Sequence, residues 1–112
     1  MKPALTALRI AAVSRWVDDS YPDDIDPELA MRRRTGKVGN EYGETLDAIE
    51  AWTGENPRKG VTGTVNEVLK ELLDTAVAAL GAVEHLTGNR GESIDMLDAH
   101  IRYVYARAGL NA

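Results

Sequence analysis

The stretch TVNEVLKELLDTAVAALGAVEHL, residues 64–86, decides the fold of this chain. Its apolar residues recur three and four positions apart, the spacing of one face of an α-helix. They are Val65, Leu69, Leu72, Leu73, Ala76, Leu80 and Val83. Thr64 followed by Glu67 matches the capping box that opens many helices. The stretch therefore predicts a helix from Thr64 to about Leu86, and its apolar stripe needs other helices to pack against.

Three further segments carry helical periodicity, so we predict an all-α fold, a four-helix bundle. The first predicted helix covers about residues 4–19 and the second about residues 28–52. The fourth is marked by Ile94 and ends near Gly109. Loops rich in Pro and Gly separate the helices, and no strand-like alternation occurs. Because Phe is absent, the core must consist of Leu, Val, Ile and Ala.

Helix two contains three interior glycines, each of which costs up to about 1 kcal/mol relative to Ala. They are Gly36, Gly39 and Gly43. A local kink or a close helix contact is the expected reason for them.

Length and composition limit both the architecture and the function. At 112 residues and 44% hydrophobic content, the chain fits a single domain, residues 1–112. A net charge of -5 argues against a general nucleic-acid binder, because that class needs a basic surface. The absence of Cys excludes disulfides, thiolate zinc sites and a Cys nucleophile. No apolar run is long enough to span a bilayer, so we expect no membrane association and a cytoplasmic location.

Two acidic pairs share one spacing: Glu41 and Glu44 on the second predicted helix, Glu71 and Asp74 on the third. Residues three apart lie on one helix face, so two packed helices would direct four carboxylates at one point. An acidic stripe is often only a solvated face. Here each acidic face continues into small residues, which indicates that it is covered. The small residues are Ala48, Ala51, Ala78, Gly81 and Ala82. Covered carboxylates need a cation, and four oxygen ligands favour Mg²⁺ or Mn²⁺.

With these residues the chain resembles the MazG-like family of all-α nucleoside triphosphate pyrophosphohydrolases. That family carries the pattern E-E-x-x-E, a variable spacer, and then E-x-x-D. NEYGE at 40–44 and ELLD at 71–74 match the two parts, and GENPRKG at 54–60 is similar to a loop of one small single-domain branch. Asn40 stands where the family usually has its leading Glu. The four acids that align with the family's metal ligands are present, and the resemblance covers roughly residues 30–87.

The resemblance implies a bundle of the MazG-like type and an Mg²⁺-dependent enzyme that converts a (deoxy)nucleoside triphosphate to the monophosphate and pyrophosphate. The implied metal ligands are Glu41, Glu44, Glu71 and Asp74. Glu44 is also the candidate general base that activates water. A homodimer or homotetramer is expected, because one bundle cannot cover both faces of two helices and a second subunit would cover the small residues. The alternative is a non-catalytic helical module that acts through oligomerisation or partner binding.

Several other polar residues have two interpretations each. Lys37, Arg58 and Lys59 are candidates for contact with the triphosphate. For Lys37, an i,i+4 ion pair with Glu41 is equally compatible with its position, and for the other two a solvated loop is. The run Arg32–Arg34 is interpreted as a solvated face. A di-iron protein is disfavoured, because neither His85 nor His100 follows a Glu by three residues.

Overall fold

The computed structural model describes residues 2–110 and consists of four α-helices. They are α1 (Lys2–Asp19), α2 (Pro27–Thr53), α3 (Val65–Thr87) and α4 (Ser93–Arg107). The described residues contain no strand, which confirms the all-α helix bundle, and the predicted helix ends lie within two residues of the observed ones. Within the same residues, no helix has the length and apolar character needed to cross a bilayer.

Local capping explains where the two central helices begin and end. The Asp26 side chain accepts the Leu29 N–H at 3.2 Å at the start of α2, where Pro27 occupies the first turn. The predicted N-cap of α3 is confirmed, because Thr64 accepts the Glu67 N–H at 3.4 Å. Gly54 ends α2 with a φ of 69°, a left-handed conformation that favours glycine.

Helices α2 and α3 form an antiparallel hairpin that is the body of the molecule. The Thr45 and Thr75 hydroxyls meet at 3.3 Å in its middle. Near the connecting loop, the Ala51 carbonyl accepts the N–H groups of Thr62 and Gly63. Helix α1 packs against α3, and α4 contacts both α1 and α3. The loop therefore covers Ala51 within the chain.

The core of the chain is made mainly of small residues. Its buried apolar members are Ala7, Ile10, Ala11, Ala30, Val68 and Ala82. No leucine of the described residues is buried, so the prediction of a leucine-containing core is wrong for the single chain. Leu72 and Leu73, on the apolar stripe of α3, are 48% and 67% exposed. The physical reason is that α1 and α2 pack against the small and acidic side of α3.

Small residues of α3 are accordingly covered by the chain itself. The Gly81 carbonyl accepts hydrogen bonds from the Ser14 hydroxyl of α1 and the Arg34 guanidinium of α2, at 3.1 and 3.0 Å. Ala82 is only 6% exposed. The expectation that a second subunit covers this part of α3 is therefore wrong.

The glycines of α2, unlike Gly81 of α3, have no close neighbours. A Cβ at Gly36, Gly39 or Gly43 would meet nothing within 4 Å, so the close contact expected there does not occur within the chain.

Arg34 is buried rather than solvated, which corrects the interpretation of the Arg32–Arg34 run. Its guanidinium donates to the Asp18 carboxylate at 2.8 Å and to the Ser14 carbonyl at 3.1 Å. Arg32 does lie on the surface, where it pairs with Glu28. One arginine of the run thus ties α2 to α1, since charged groups inside a fold need such partners.

The Asp18 carboxylate forms two further hydrogen bonds, with His85 and Asn89, both at 2.8 Å. Burial alone would raise the pKa of Asp18, but hydrogen bonds from Asn89, His85 and Arg34 hold it below its usual range. His85 is therefore a packing residue in a polar network that joins α1, α2, α3 and the turn after α3.

Glu84 holds the start of α4. It is fully buried, and its carboxylate accepts the N–H groups of Gly91 and Ser93 at 2.9 and 2.8 Å. Burial alone would raise the pKa of Glu84, but hydrogen bonding by Ser93 and Gly91 lowers it. A carboxylate at a helix N-terminus satisfies N–H groups that have no partner within the helix.

Candidate metal centre

Three of the four predicted ligands meet where α2 crosses α3. Carboxylate oxygens of Glu41, Glu44 and Glu71 all lie within 4.8 Å of one another. Two ligand oxygens on one octahedral Mg²⁺ lie about 3–4 Å apart, given Mg–O bonds of about 2.1 Å. Small side-chain movements would therefore allow these three residues to bind one ion. We call Glu41, Glu44 and Glu71 the acidic cluster.

The helix contact itself positions the acidic cluster. Thr45 is 1% exposed, and its hydroxyl donates to the Glu41 carbonyl one turn earlier. Thr75 makes the same bond to the Glu71 carbonyl at 2.9 Å. Because the two hydroxyls also touch each other, the helices approach closely beside the acids. The acidic spacing alone does not predict these threonines, although each lies four residues after a predicted ligand.

Asp74, the fourth predicted ligand, stands outside the acidic cluster. Lys70 holds its carboxylate at 2.9 Å across one helical turn and also approaches Glu71 at 3.6 Å. Lys37 pairs with Glu41 at 2.9 Å, so the ion-pair interpretation of Lys37 is confirmed. Two ammonium groups thus face four carboxylates, and the region keeps a negative charge.

Electrostatic strain remains within the acidic cluster. The negative charge of Glu41, followed by that of Glu71, raises the pKa of the exposed Glu44 carboxyl. One carboxylate oxygen of Glu71, Oε2, is buried and has no hydrogen-bond partner. A buried oxygen without a donor is costly, and a cation bound at this point would satisfy it. The residues present therefore fit a hard divalent ion.

A cavity of about 430 Å³ adjoins the acidic cluster between α1, α2 and α3. Glu41 and Asp74 line it at one side, and its apolar wall is formed by Val13, Val17 and Val77. This volume lies within the range of small-molecule sites, about 300–1,000 Å³. The cavity therefore combines an acidic rim with an apolar interior.

Cationic side chains also line this cavity. Lys37, Arg33 and Arg34 line it, together with Asn40. The Arg33 guanidinium lies over the Tyr21 ring, 5.8 Å from its centroid, which orients its charge at the cavity wall. Arg33 is exposed, as the solvated-face interpretation expects, and it also lines the cavity.

Arg58 and Lys59 lie in the loop between α2 and α3. Lys59 lines a second, polar cavity of about 320 Å³ with Asp47, Glu50 and Asn56. Within residues 5–110, neither Arg58 nor Lys59 forms an ion pair with the acidic cluster. The cationic side chains that line the first cavity, which borders the acidic cluster, are instead Lys37, Arg33 and Arg34.

Comparison of the chain with protein-family models, with curated proteins and with solved structures gives no match. The site is therefore interpreted from its own residues and geometry.

Proposed function

We propose that this protein is a metal-dependent nucleotide pyrophosphohydrolase of the MazG-like type, which cleaves a (deoxy)nucleoside triphosphate into the monophosphate and pyrophosphate. One observation carries the proposal. A cluster of three carboxylates, one of them with a buried unpartnered oxygen, borders a cavity whose lining includes three cationic side chains and an apolar wall. A substrate that combines a polyanionic triphosphate with the flat aromatic ring of a nucleobase would use these three elements together.

Each side chain has a role in the proposal. Glu41, Glu44 and Glu71 would hold Mg²⁺ or Mn²⁺, and Asp74 could join them if its bond to Lys70 opened. The metal would supply neutralisation of phosphate charge. Glu44 would accept a proton from the attacking water, since it is the most exposed acid of the cluster. Water would form a bond to the α-phosphorus, and the bond to the bridging oxygen would break, releasing pyrophosphate.

The cavity would orient the substrate. Lys37 and Arg33 would contact phosphate oxygens through charge-assisted hydrogen bonds. The wall formed by Val13, Val17 and Val77 would pack against the nucleobase and exclude water. Lys37 is 59% exposed and pairs only across a helix turn with Glu41, so it can exchange that partner for phosphate at low cost. Arg58 and Lys59 remain candidates only if their loop moves toward this cavity.

The test measures metal binding and product identity separately. Titration calorimetry with Mn²⁺ reports binding, and a panel of nucleoside triphosphates with Mg²⁺ reports release of pyrophosphate and monophosphate. Glu71→Gln should lower turnover by about 100-fold, as expected when a metal ligand is lost, and should weaken Mn²⁺ binding. Glu50→Gln is the control, because Glu50 is also a glutamate of the α2–α3 hairpin but lines the second cavity, outside the acidic cluster.

Two results would overturn the enzyme proposal: release of single orthophosphate, or Mn²⁺ binding without turnover of any triphosphate. The second would favour the alternative, a helical oligomerisation or partner-binding module. The many exposed large apolar side chains give that alternative its support. Self-association, as a homodimer or homotetramer, is part of both proposals.

A further inference from the structure

Lys70 of α3 places its ammonium group between two of the four predicted ligands. Its Nζ lies 2.9 Å from Asp74 Oδ2 and 3.6 Å from Glu71 Oε1. Lys37, the other lysine beside the acids, lines the first cavity, whereas Lys70 is not among the described residues that line it. Lys37 is therefore placed to serve the substrate, and the contacts of Lys70 concern the carboxylates.

The ion pair of Lys70 with Asp74 adds little to the stability of α3. In a pair four residues apart, the favourable order is the acid first and the base second, which matches the helix dipole. Here Lys70 comes before Asp74. The two side chains are 69% and 44% exposed, so water and salt screen their attraction. The bond is thus one that a stronger partner of the carboxylate can replace.

The charge balance of the region connects Lys70 with the proposed ion. The acidic cluster and Asp74 carry four negative charges when ionised, and Lys37 and Lys70 bring two positive charges to them. The excess of two negative charges equals the charge of one divalent ion. Removing Lys70 would raise that excess and strengthen the attraction for a cation.

Asp74 is the carboxylate that both cations need. While Lys70 holds it, Asp74 stays outside the acidic cluster and lines the first cavity, where its charge opposes a triphosphate. Bound to the ion as a fourth ligand, its charge would be neutralised, and the cavity rim would accept phosphate oxygens more readily. The ammonium group and the ion therefore compete for Asp74.

We propose that Lys70 is a built-in competitor of the divalent ion: it withholds Asp74 from the acidic cluster and so sets how tightly the cluster binds metal. Binding of the ion would draw Asp74 away from Lys70, and release of the ion would return it. The inference rests on the proposed function, because it takes the acidic cluster as the metal site. Lys70 is a positioning residue in this scheme, since it acts through Asp74.

The test is a double-mutant cycle in which titration calorimetry measures Mn²⁺ affinity at about 0.15 M salt. Loss of the competing ion pair should tighten binding by up to about fivefold, the strength of a strong exposed pair. Loss of the repulsion between ammonium and ion should add about twofold. Lys70→Met should therefore bind Mn²⁺ about tenfold more tightly. In the Asp74→Asn protein only the repulsion is left to remove, so the same change should tighten binding by about twofold.

Two further variants separate this effect from a general change of charge. Arg102→Met is the matched control, because it removes one positive charge from another exposed i,i+4 pair, that with Asp98 on α4. Its Mn²⁺ affinity should change by less than about twofold. Lys70→Arg keeps a cation beside Asp74 and should bind Mn²⁺ as the unmodified protein does. Circular dichroism should show equal helix content throughout, since Lys70 and Arg102 are exposed.

Electron paramagnetic resonance gives a second measurement, because the signal of free Mn²⁺ counts the bound ions without relying on heats of binding. Equal affinities of Lys70→Met and the unmodified protein would overturn the inference and leave the metal site in place. So would a tenfold gain that persists in the Asp74→Asn protein, since repulsion alone would then explain it. Absence of Mn²⁺ binding in every variant would overturn both the inference and the proposed metal site.

Discussion

Replacing Arg34 by methionine tests what holds α1 to the central hairpin. The guanidinium donates to Ser14 twice, through the carbonyl at 3.1 Å and the hydroxyl at 2.9 Å. It also donates to Asp18 at 2.8 Å and to the Gly81 carbonyl at 3.0 Å. Methionine keeps much of the apolar stem and removes all of these donors. The variant therefore leaves acceptors of α1 and α3 without their partner.

The expected cost follows from the burial of these groups. Breaking a buried ion pair by removing one partner costs about 3–5 kcal/mol. The carboxylate of Asp18 is 23% exposed and keeps its bonds to His85 and Asn89, which moves the value to the low end of that range. We expect Arg34→Met to lower the free energy of unfolding by about 3 kcal/mol. That is a large part of the roughly 5–15 kcal/mol that stabilises a small domain.

Urea denaturation followed by far-UV circular dichroism measures this change. Protein concentration must be held fixed, because any self-association would add to the apparent stability. Arg32→Met is the matched control: its ion pair with Glu28 is exposed, and its loss should change stability by no more than about 0.5 kcal/mol. A loss below about 1 kcal/mol for Arg34→Met would refute the argument that the buried network fixes α1.

Two further predictions concern single positions. Gly81→Ala should destabilise the fold by about 1–2 kcal/mol in thermal or urea unfolding, because the new Cβ would lie 3.1 Å from the tightly held Arg34 Nη2. Gly36→Ala, in open space on α2, should instead stabilise it by up to about 1 kcal/mol, and equal effects at both positions would contradict the reasoning. Glu84→Gln should lower the unfolding midpoint at neutral pH. Because the folded-state pKa of Glu84 is lowered, its contribution is present above the pKa of the unfolded chain and is lost as pH falls through the folded value. The midpoints of the two proteins should therefore converge as pH falls below about 4, and parallel curves down to strongly acid pH would argue against this role.

The helices follow from the sequence because their signals are local. Periodicity, the Asp26 and Thr64 caps and the glycine at position 54 act over a few residues each, and they fix the helix ends closely. Arg34 and Glu84 could not be assigned in this way. Arg34 donates a hydrogen bond to Gly81, 47 residues away, and whether its charge stabilises the fold depends on where α1 lies. A long-range contact of this kind leaves no local pattern.

The acidic cluster was predictable in part, because the spacing of acidic residues within one helix is a local signal. Spacing of three residues places Glu41 with Glu44, and the antiparallel contact brings Glu71 to them. Asp74 shares the spacing, but Lys70 lies four residues before it and forms an ion pair with its carboxylate. The i,i+4 rule that explains Lys37 also explains this departure. Lys37 was already a candidate from the sequence, but the places of Arg33 and Arg34 in the cavity lining were not predictable, because they depend on the position of α1.

The main error of the sequence-based prediction was the side of α2 and α3 that the chain buries. The cause of this error also bears on the acidic cluster. Apolar stripes usually face the core of their own chain, but in this hairpin the small and acidic side packs against α1 while the large apolar side chains stay outside. The cluster is thus held together against like-charge repulsion, which raises the pKa of Glu44.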